Sequence, residues 1–493
     1  MYYKRNAYYI KCNKAVVLLL PIIVIFLITL SGTLFSFENI NGVIANCATY
    51  NPMTQIISVS CKSTTLTDLY NTLSNHKILN KESPGVWILN ANLVIADHSK
   101  LSITPQDTKW LKINSTNGIP HFIQAKGSMV IDSVKITSWD TNTNNYAITD
   151  SNGTIPRSSI MIFGGTAATN ITNSEIAYLG YNGTHSYGLA YYQGSGSIIK
   201  NNNLHDNQYG IYLQNVSGIR VEGNQVHNNL RYGIDPYKGT HDIIIQNNTV
   251  YNNQNHGIIC VDCYNVLIEF NKSYNNIGHG IILYSNVSNS TVQNNILFNN
   301  HNDQIALVDS SNNRINGNNL KNQQVGIRVD PGSNENKIND NTITNSSTYA
   351  IYLYGGASKN NVSSNAISNS LISGIYVVGK GSLDNTFQNN KISDNKQTGI
   401  KLQNNTSMFI GNTVGNTTSS HYELGGNSTL KIKDTPFPST IIKSKGNNLL
   451  EITYSKPTHI IIVSNKQKNL INSVAPAISF PLQRSMIVTI KNG

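Results

Sequence analysis

The feature that most constrains this chain is a repeat. A short apolar strand opens at positions 188, 210, 233, 257, 280, 304, 326, 350, 374 and 399, in steps of 22 to 25 residues. Glycine fills every one of these positions except Gln304 and Ala350, and the next residue is always aliphatic, from Leu189 and Ile211 through Ile234 to Ile400. A second row of the form Asn-x-apolar keeps the same phase through Asn202, Asn224, Asn248, Asn271, Asn295, Asn318, Asn341, Asn365, Asn390 and Asn412, and only Ser273 breaks its apolar position. A unit of about 23 residues is too small to bury a core alone and must stack on its neighbours. Such units are too short for paired helices, they lack a leucine frame, and their Gly, Asn and β-branched content favours strands. The repeat therefore predicts an all-β chain folded as a right-handed parallel β-helix. Asparagine suits the bends of such a coil, because it tolerates left-handed backbone and its stacked amides can hydrogen-bond along the axis.

Less regular coils such as GVWILNANLVIA extend the pattern back to Gly85, so the solenoid is assigned to residues 85–415. Within 31–84, Leu66, Leu69, Tyr70 and Leu73 fall on one helical stripe behind threonines able to cap it, which predicts an N-terminal capping helix. Residues 416–493 read as a small, basic, β-rich C-terminal module. At the other end, Lys4, Arg5, Lys11 and Lys14 precede an uncharged apolar run from Ala15 to Leu30. Residues 1–30 thus suit a secretory signal or a signal anchor, and either one exports the remainder to an extracellular or cell-surface location. Contact with a membrane is expected only through this segment.

Charge narrows the function. Of the net +11, four charges belong to the first fourteen residues and six to residues 416–493, which leaves +1 for everything between. A nearly neutral solenoid with only 12% charged residues is a poor nucleic-acid binder. Its basic tail could contact anionic glycans or a charged envelope, or simply carry solvated lysines. Cys47 and Cys61 flank a short segment where a disulfide is chemically permitted. Cys260 and Cys263 form a lone C-x-x-C without the second pair a zinc site needs, so burial or a local bridge is the better reading. Sequons at Asn114, Asn170, Asn182 and Asn286 permit glycosylation. No cofactor is required by these motifs; calcium stays open, although the chain has no EF-hand-type or acidic nonapeptide loop.

One coil departs from the pattern. In RYGIDPYKGTHDIIIQNNTVYNNQNHGII, residues 231–259, Asp235 and Pro236 interrupt the strand. Alternation points Ile234 and Pro236 inward and Asp235 and Tyr237 outward. Proline removes a ladder hydrogen bond, a cost that an ordinary structural strand avoids. The residue before each strand runs Tyr187, Tyr209, Tyr232, His256 and His279, a column of roughly 19 Å at about 4.8 Å per coil. Aromatic faces can stack on sugars, while Tyr, His and Asp supply hydrogen bonds and protons. Tyr212, outward in the preceding coil, joins the expected binding surface.

At Tyr232–Pro236, THDIIIQNNTVY and NHGII, the chain resembles the mannuronan C-5 epimerases within the right-handed β-helix enzymes that act on polyuronides. The resemblance implies an exported enzyme that abstracts the C5 proton of a uronate within a polymer and returns one from the opposite face. It implies an anionic polysaccharide or envelope glycan as partner, Asp235 as the motif aspartate and Tyr232 as the motif tyrosine. Tyr237 stands where the family carries histidine. A free tyrosine, with a pKa near 10, is a natural proton donor but needs nearby positive charge to act as a base. Catalysis is therefore expected from Asp235 and Tyr237 with His241 and His256, and substrate binding from Tyr187, Tyr209, Tyr212, Arg231, Tyr232, Lys238 and His279. The basic residue that some members carry shortly after H-G-I-I falls near Asp262. The alternatives are a glycan-binding envelope protein without turnover and a polysaccharide lyase, which shares the same carbanion.

Overall fold

A computed structural model describes residues 47–493 apart from 165–167, 436–438, 465–466, 483–485 and 493. Residues 46–493 form one compact unit. The candidate signal or anchor and Cys12 lie outside the described residues. No helix among the described residues is long and apolar enough to cross a membrane.

Strands stack in parallel from coil to coil. The aliphatic row is in exact lateral register, with Ile211 opposite Ile234, Ile234 opposite Ile258, and so on through Ile375 opposite Ile400. Every isoleucine of this row from Ile211 to Ile400 is fully buried, each worth about 1.5–3 kcal/mol of apolar transfer. Glycine precedes it because the coils touch there. A Cβ on Gly233 would lie 2.5 Å from Val250 Cγ1 and 2.6 Å from the carbonyl oxygen of Gly257.

The asparagine row forms an unbroken internal ladder. The backbone N–H of Asn202 donates to Oδ1 of Asn224, that of Asn224 to Asn248, and the chain continues to Asn412 at 2.9–3.0 Å. Each amide also donates across the bend, as Asn224 Nδ2 does to the Ile199 carbonyl at 2.9 Å. Backbone groups that a bend would orphan are satisfied in this way. The left-handed conformation expected of these asparagines belongs instead to the residue before them, such as Asn201, Asn247, Phe270 and Asn294, with φ of 54–56°. Bending and bonding are thus divided between adjacent positions. A second ladder, Asn207, Asn229, Asn253, Asn276 and Asn300, follows the same scheme.

The limits of the coil differ from the assigned 85–415. Parallel pairing already joins Ile56–Val59 to Asn92–Ile95. It continues beyond residue 415, where Tyr422–Gly426 pairs with Ile442–Gly446 and Thr429–Lys433 with Leu449–Thr453. Asn448 extends the amide scheme by accepting from Ser428 N–H, so the stacking outlives the recognisable repeat. At this end antiparallel pairs join the parallel ones, between Asn448–Ser464 and Gln467–Leu482 and between Met486–Asn492 and both Thr440–Gly446 and Asn448–Ser464. The helix Leu66–Thr72 forms as expected, with Thr65 and Asp68 making a capping box and Leu66 and Leu69 buried. Disulfides join Cys47 to Cys61 and Cys260 to Cys263.

Candidate active site

Three outward columns on one sheet face build the site. The strand Ile234–Tyr237 lies between Tyr209–Gln214 and Ile258–Val261. Pro236 cannot donate to the ladder, and pairing with Ile258–Val261 is reduced to Ile234 opposite Ile258. Pro236 faces inward, and its carbonyl oxygen lies 3.7 Å from Cys263 Sγ. Asp235 faces outward, opposite Tyr212. The expected exposed carboxylate is corrected here: Asp235 is only 2% exposed, because tyrosines from three coils crowd over it.

Asp235 forms part of a cavity of about 310 Å³ lined by Tyr187, Tyr209, Tyr212, Tyr232, Tyr237, Ile259, Val261 and Tyr284. Its Oδ1 has no hydrogen-bond partner among the described residues. Burial without a compensating cation pushes the carboxyl well above the ordinary carboxylate range. The shift favours the protonated carboxyl, the form that can donate a hydrogen bond. Burial likewise raises the phenols of Tyr187, Tyr209, Tyr212 and Tyr232, with Arg231 opposing the shift at Tyr209 and Tyr232. The cavity is therefore rich in uncharged donors, as recognition of an anion in a low-dielectric site requires.

The expected ring column is continuous. Centroids are 5.0 Å apart for Tyr187–Tyr209, 5.5 Å for Tyr209–Tyr232, 5.3 Å for Tyr232–His256 and 5.0 Å for His256–His279. His256 Nδ1 accepts the backbone N–H of His279 at 3.0 Å, which leaves the ring proton on Nε2. Desolvation lowers the pKa of His256 from 6.5 to about 4, so the ring is a neutral donor. His279 is buried, and its Nδ1 accepts the backbone N–H of Asp303 at 3.2 Å.

The remaining expected residues sit outside the cavity lining. Lys238 Nζ stands 5.4 Å from the Tyr237 ring centroid. His241 lies past the turn that ends the Asp235 strand, in parallel bridges with Ser217 and Tyr264, stacked on Tyr264 at 4.7 Å and paired with Asp242 at 2.7 Å; it does not line the Asp235 cavity. Ile259, Val261 and Tyr284 line the cavity without having been singled out. They occupy outward positions of the next two strands, so the alternation that selected Asp235 and Tyr237 also reaches them. Among the described residues no group of three or more His, Cys, Asp or Glu side chains is arranged to hold a metal ion.

The family model for the right-handed β-helix region matches residues 112–287, 237–367 and 326–469. The chain belongs to the right-handed β-helix family. Within it, the mannuronan C5-epimerase of Pseudomonas fluorescens is 30% identical over 194 residues, covering 37% of this chain and 36% of that protein. The mannuronan C5-epimerase of Pseudomonas syringae pv. tomato is 29% identical over 218 residues, 42% of this chain and 40% of its own length. The chain thus spans only about two fifths of these curated relatives. The crystal structure of the periplasmic alginate epimerase AlgG superposes with a TM-score of 0.60 over 75% of this chain and 84% of that one. At 24% identity, that likeness concerns the β-helix fold.

Proposed function

We propose that this protein is an exported, polyuronide-modifying enzyme that inverts uronate residues at carbon 5. The observation that carries the reading is the buried carboxyl of Asp235, its Oδ1 unpartnered, in a phenol-lined cavity. C5 proton abstraction leaves an enolate-like carboxylate, and donors aimed at developing charge are the largest common source of catalysis. Asp235 supplies such a donor, assisted by Tyr209, Tyr212 and Tyr232. The mannuronan C5-epimerase relatives support the same chemistry.

Tyr237 is assigned proton transfer at C5 from the position where the family carries histidine, with the Lys238 ammonium 5.4 Å from its ring centroid. His256 is assigned a positioning role, since its Nδ1 is occupied and its Nε2–H can donate to the sugar. Export accords with the Cys47–Cys61 disulfide. We take the helix Leu66–Thr72 to close the N-terminal end of the coil.

Binding without turnover is favoured by one observation: burial drives Asp235 and four of the lining tyrosines toward neutral forms. Incubation with polymannuronate in deuterated water separates the readings. An epimerase incorporates deuterium at C5, followed by NMR, and loses it in Tyr237→Phe and Asp235→Leu. Ultraviolet-absorbing unsaturated ends would instead report a lyase, and polymer binding without label a glycan-binding protein. Label uptake undiminished in both variants refutes the residue assignment.

A further inference from the structure

The seam that follows the Asp235 strand is less paired than its neighbours. Toward the preceding coil, pairing runs without a break from Ile211 opposite Ile234 to Gln214 opposite Tyr237. One coil further on, it runs from Ile258 opposite Ile281 to Val261 opposite Tyr284. Between these two seams only Ile234 pairs with Ile258, and a backbone bond resumes where the Gly239 N–H donates to the Asp262 carbonyl at 3.1 Å. The gap separates Asp235 and Tyr237 from Ile259 and Val261, yet all four line one cavity. Strand pairing therefore does not set the width of that cavity.

The Cys260–Cys263 bridge lies at this gap. Cys260 faces inward, opposite Leu283, with Ile259 and Val261 on either side of it. Both cysteines are fully buried. Cys263 Sγ lies 3.7 Å from the Pro236 carbonyl oxygen, so the bridge abuts the backbone between Asp235 and Tyr237 from the inner side. It also closes over Val261 and Asp262; Asp262 turns the chain with a φ of 51° and donates its N–H to the Ser285 carbonyl at 2.9 Å. A bridge between cysteines three residues apart restricts the unfolded chain less than one between cysteines fourteen apart, such as Cys47–Cys61. Its main effect is local.

We propose that the Cys260–Cys263 bridge is a positioning device for the reaction at Asp235, standing in for the missing ladder and fixing how far Ile259 and Val261 sit from Asp235 and Tyr237. The catalytic part of this inference rests on the epimerase reading of the cavity. The cysteines do not line the cavity, so they act through the strands they hold. Misplacing reacting groups by about 1 Å can cost about a hundredfold in rate, and a lateral link at this seam accordingly bears on turnover more than on folding.

Cys260→Ala/Cys263→Ala tests this, with Cys263→Ala alone as a second arm that opens the bridge but keeps the Cys260 side chain. In C5 exchange on polymannuronate, both should lower kcat by about tenfold to a hundredfold and leave KM within about twofold of wild type. Cys47→Ala/Cys61→Ala, which opens the longer bridge, should lower the melting temperature and leave kcat unchanged. Amide hydrogen exchange followed by mass spectrometry reads the same link without turnover: residues 235–239 should exchange about tenfold faster in the bridge variants, while residues 211–214 keep wild-type protection. Wild-type protection at 235–239 in both variants overturns the inference, as does an unchanged kcat. Alkylation of the unfolded, unreduced protein that finds Cys260 and Cys263 as free thiols overturns it too. A wild-type protein that exchanges no C5 proton refutes the epimerase reading instead, and the amide-exchange arm still decides whether the bridge holds the seam.

Discussion

Two aromatic arrays run along this solenoid, and they are built differently. On one face, His205, His227, Tyr251, Tyr274 and Phe298 stack at 4.7–5.1 Å with interplanar angles of 2–15°. Their faces are covered by one another, so the inner members of the ladder offer only edges to solvent. Around Asp235, Tyr187, Tyr209, Tyr212, Tyr232 and Tyr237 meet at 34–72°. Tilted rings cannot close against each other, and they leave the 310 Å³ cavity between them. Parallel stacking spends aromatic surface on stability, whereas tilting keeps it available for a ligand. A column of tyrosines is therefore not by itself a sugar platform; the angle between the rings decides.

The largest effect that would break this contrast is at Asp235. Asp235→Leu should reduce C5 exchange by about 10²–10³-fold, the cost of losing one donor to developing charge. The same change should stabilise the fold by about 1–3 kcal/mol, because it removes a buried unsatisfied group. The raised carboxyl pKa makes the wild-type contribution favourable at low pH and lost as pH rises through the folded value. The melting-temperature gap between variant and wild type should accordingly widen toward alkaline pH. Loss of both activity and stability would make Asp235 structural and erase the distinction between the arrays.

Tyr251→Ala probes the other array. It removes two stacked pairs at about 0.5–1.5 kcal/mol each, so denaturant melts should register roughly 1–3 kcal/mol. Polymer affinity should stay at the wild-type value; a drop would turn the ladder into a binding surface.

The smallest effect concerns His256, which joins the tyrosine column to the histidines. Folding lowers its pKa from 6.5 to about 4, so its contribution to stability is present above pH 6.5 and lost as pH falls toward 4. His256→Asn should flatten the melting-temperature profile across that window. An unaltered profile would mean that the ring is not held neutral by its buried setting.

Much of this was legible in the sequence, because a solenoid converts distance along the chain into lateral neighbourhood. Once Ile234 is placed opposite Ile211 and Ile258, alternation fixes which side Asp235, Pro236 and Tyr237 face, and the Tyr187-to-His279 column follows. The same rule, carried two strands further, would have found Tyr284. It could not exclude His241, which sits beyond the turn that ends the Asp235 strand, in a bridge of its own that the alternation of that strand does not reach. Nor could it separate the asparagine that bonds from the neighbour that bends, since both positions are rich in asparagine.

The sequence by itself determined the β-helix, its register and the identity of the residues sharing the cavity face, because each depends on a period repeated over many coils. Only the tertiary structure decided that Asp235 is covered rather than exposed, and which rings stack and which tilt. Those outcomes depend on side chains from three adjacent coils packing against one another, and no single period in the chain encodes that packing.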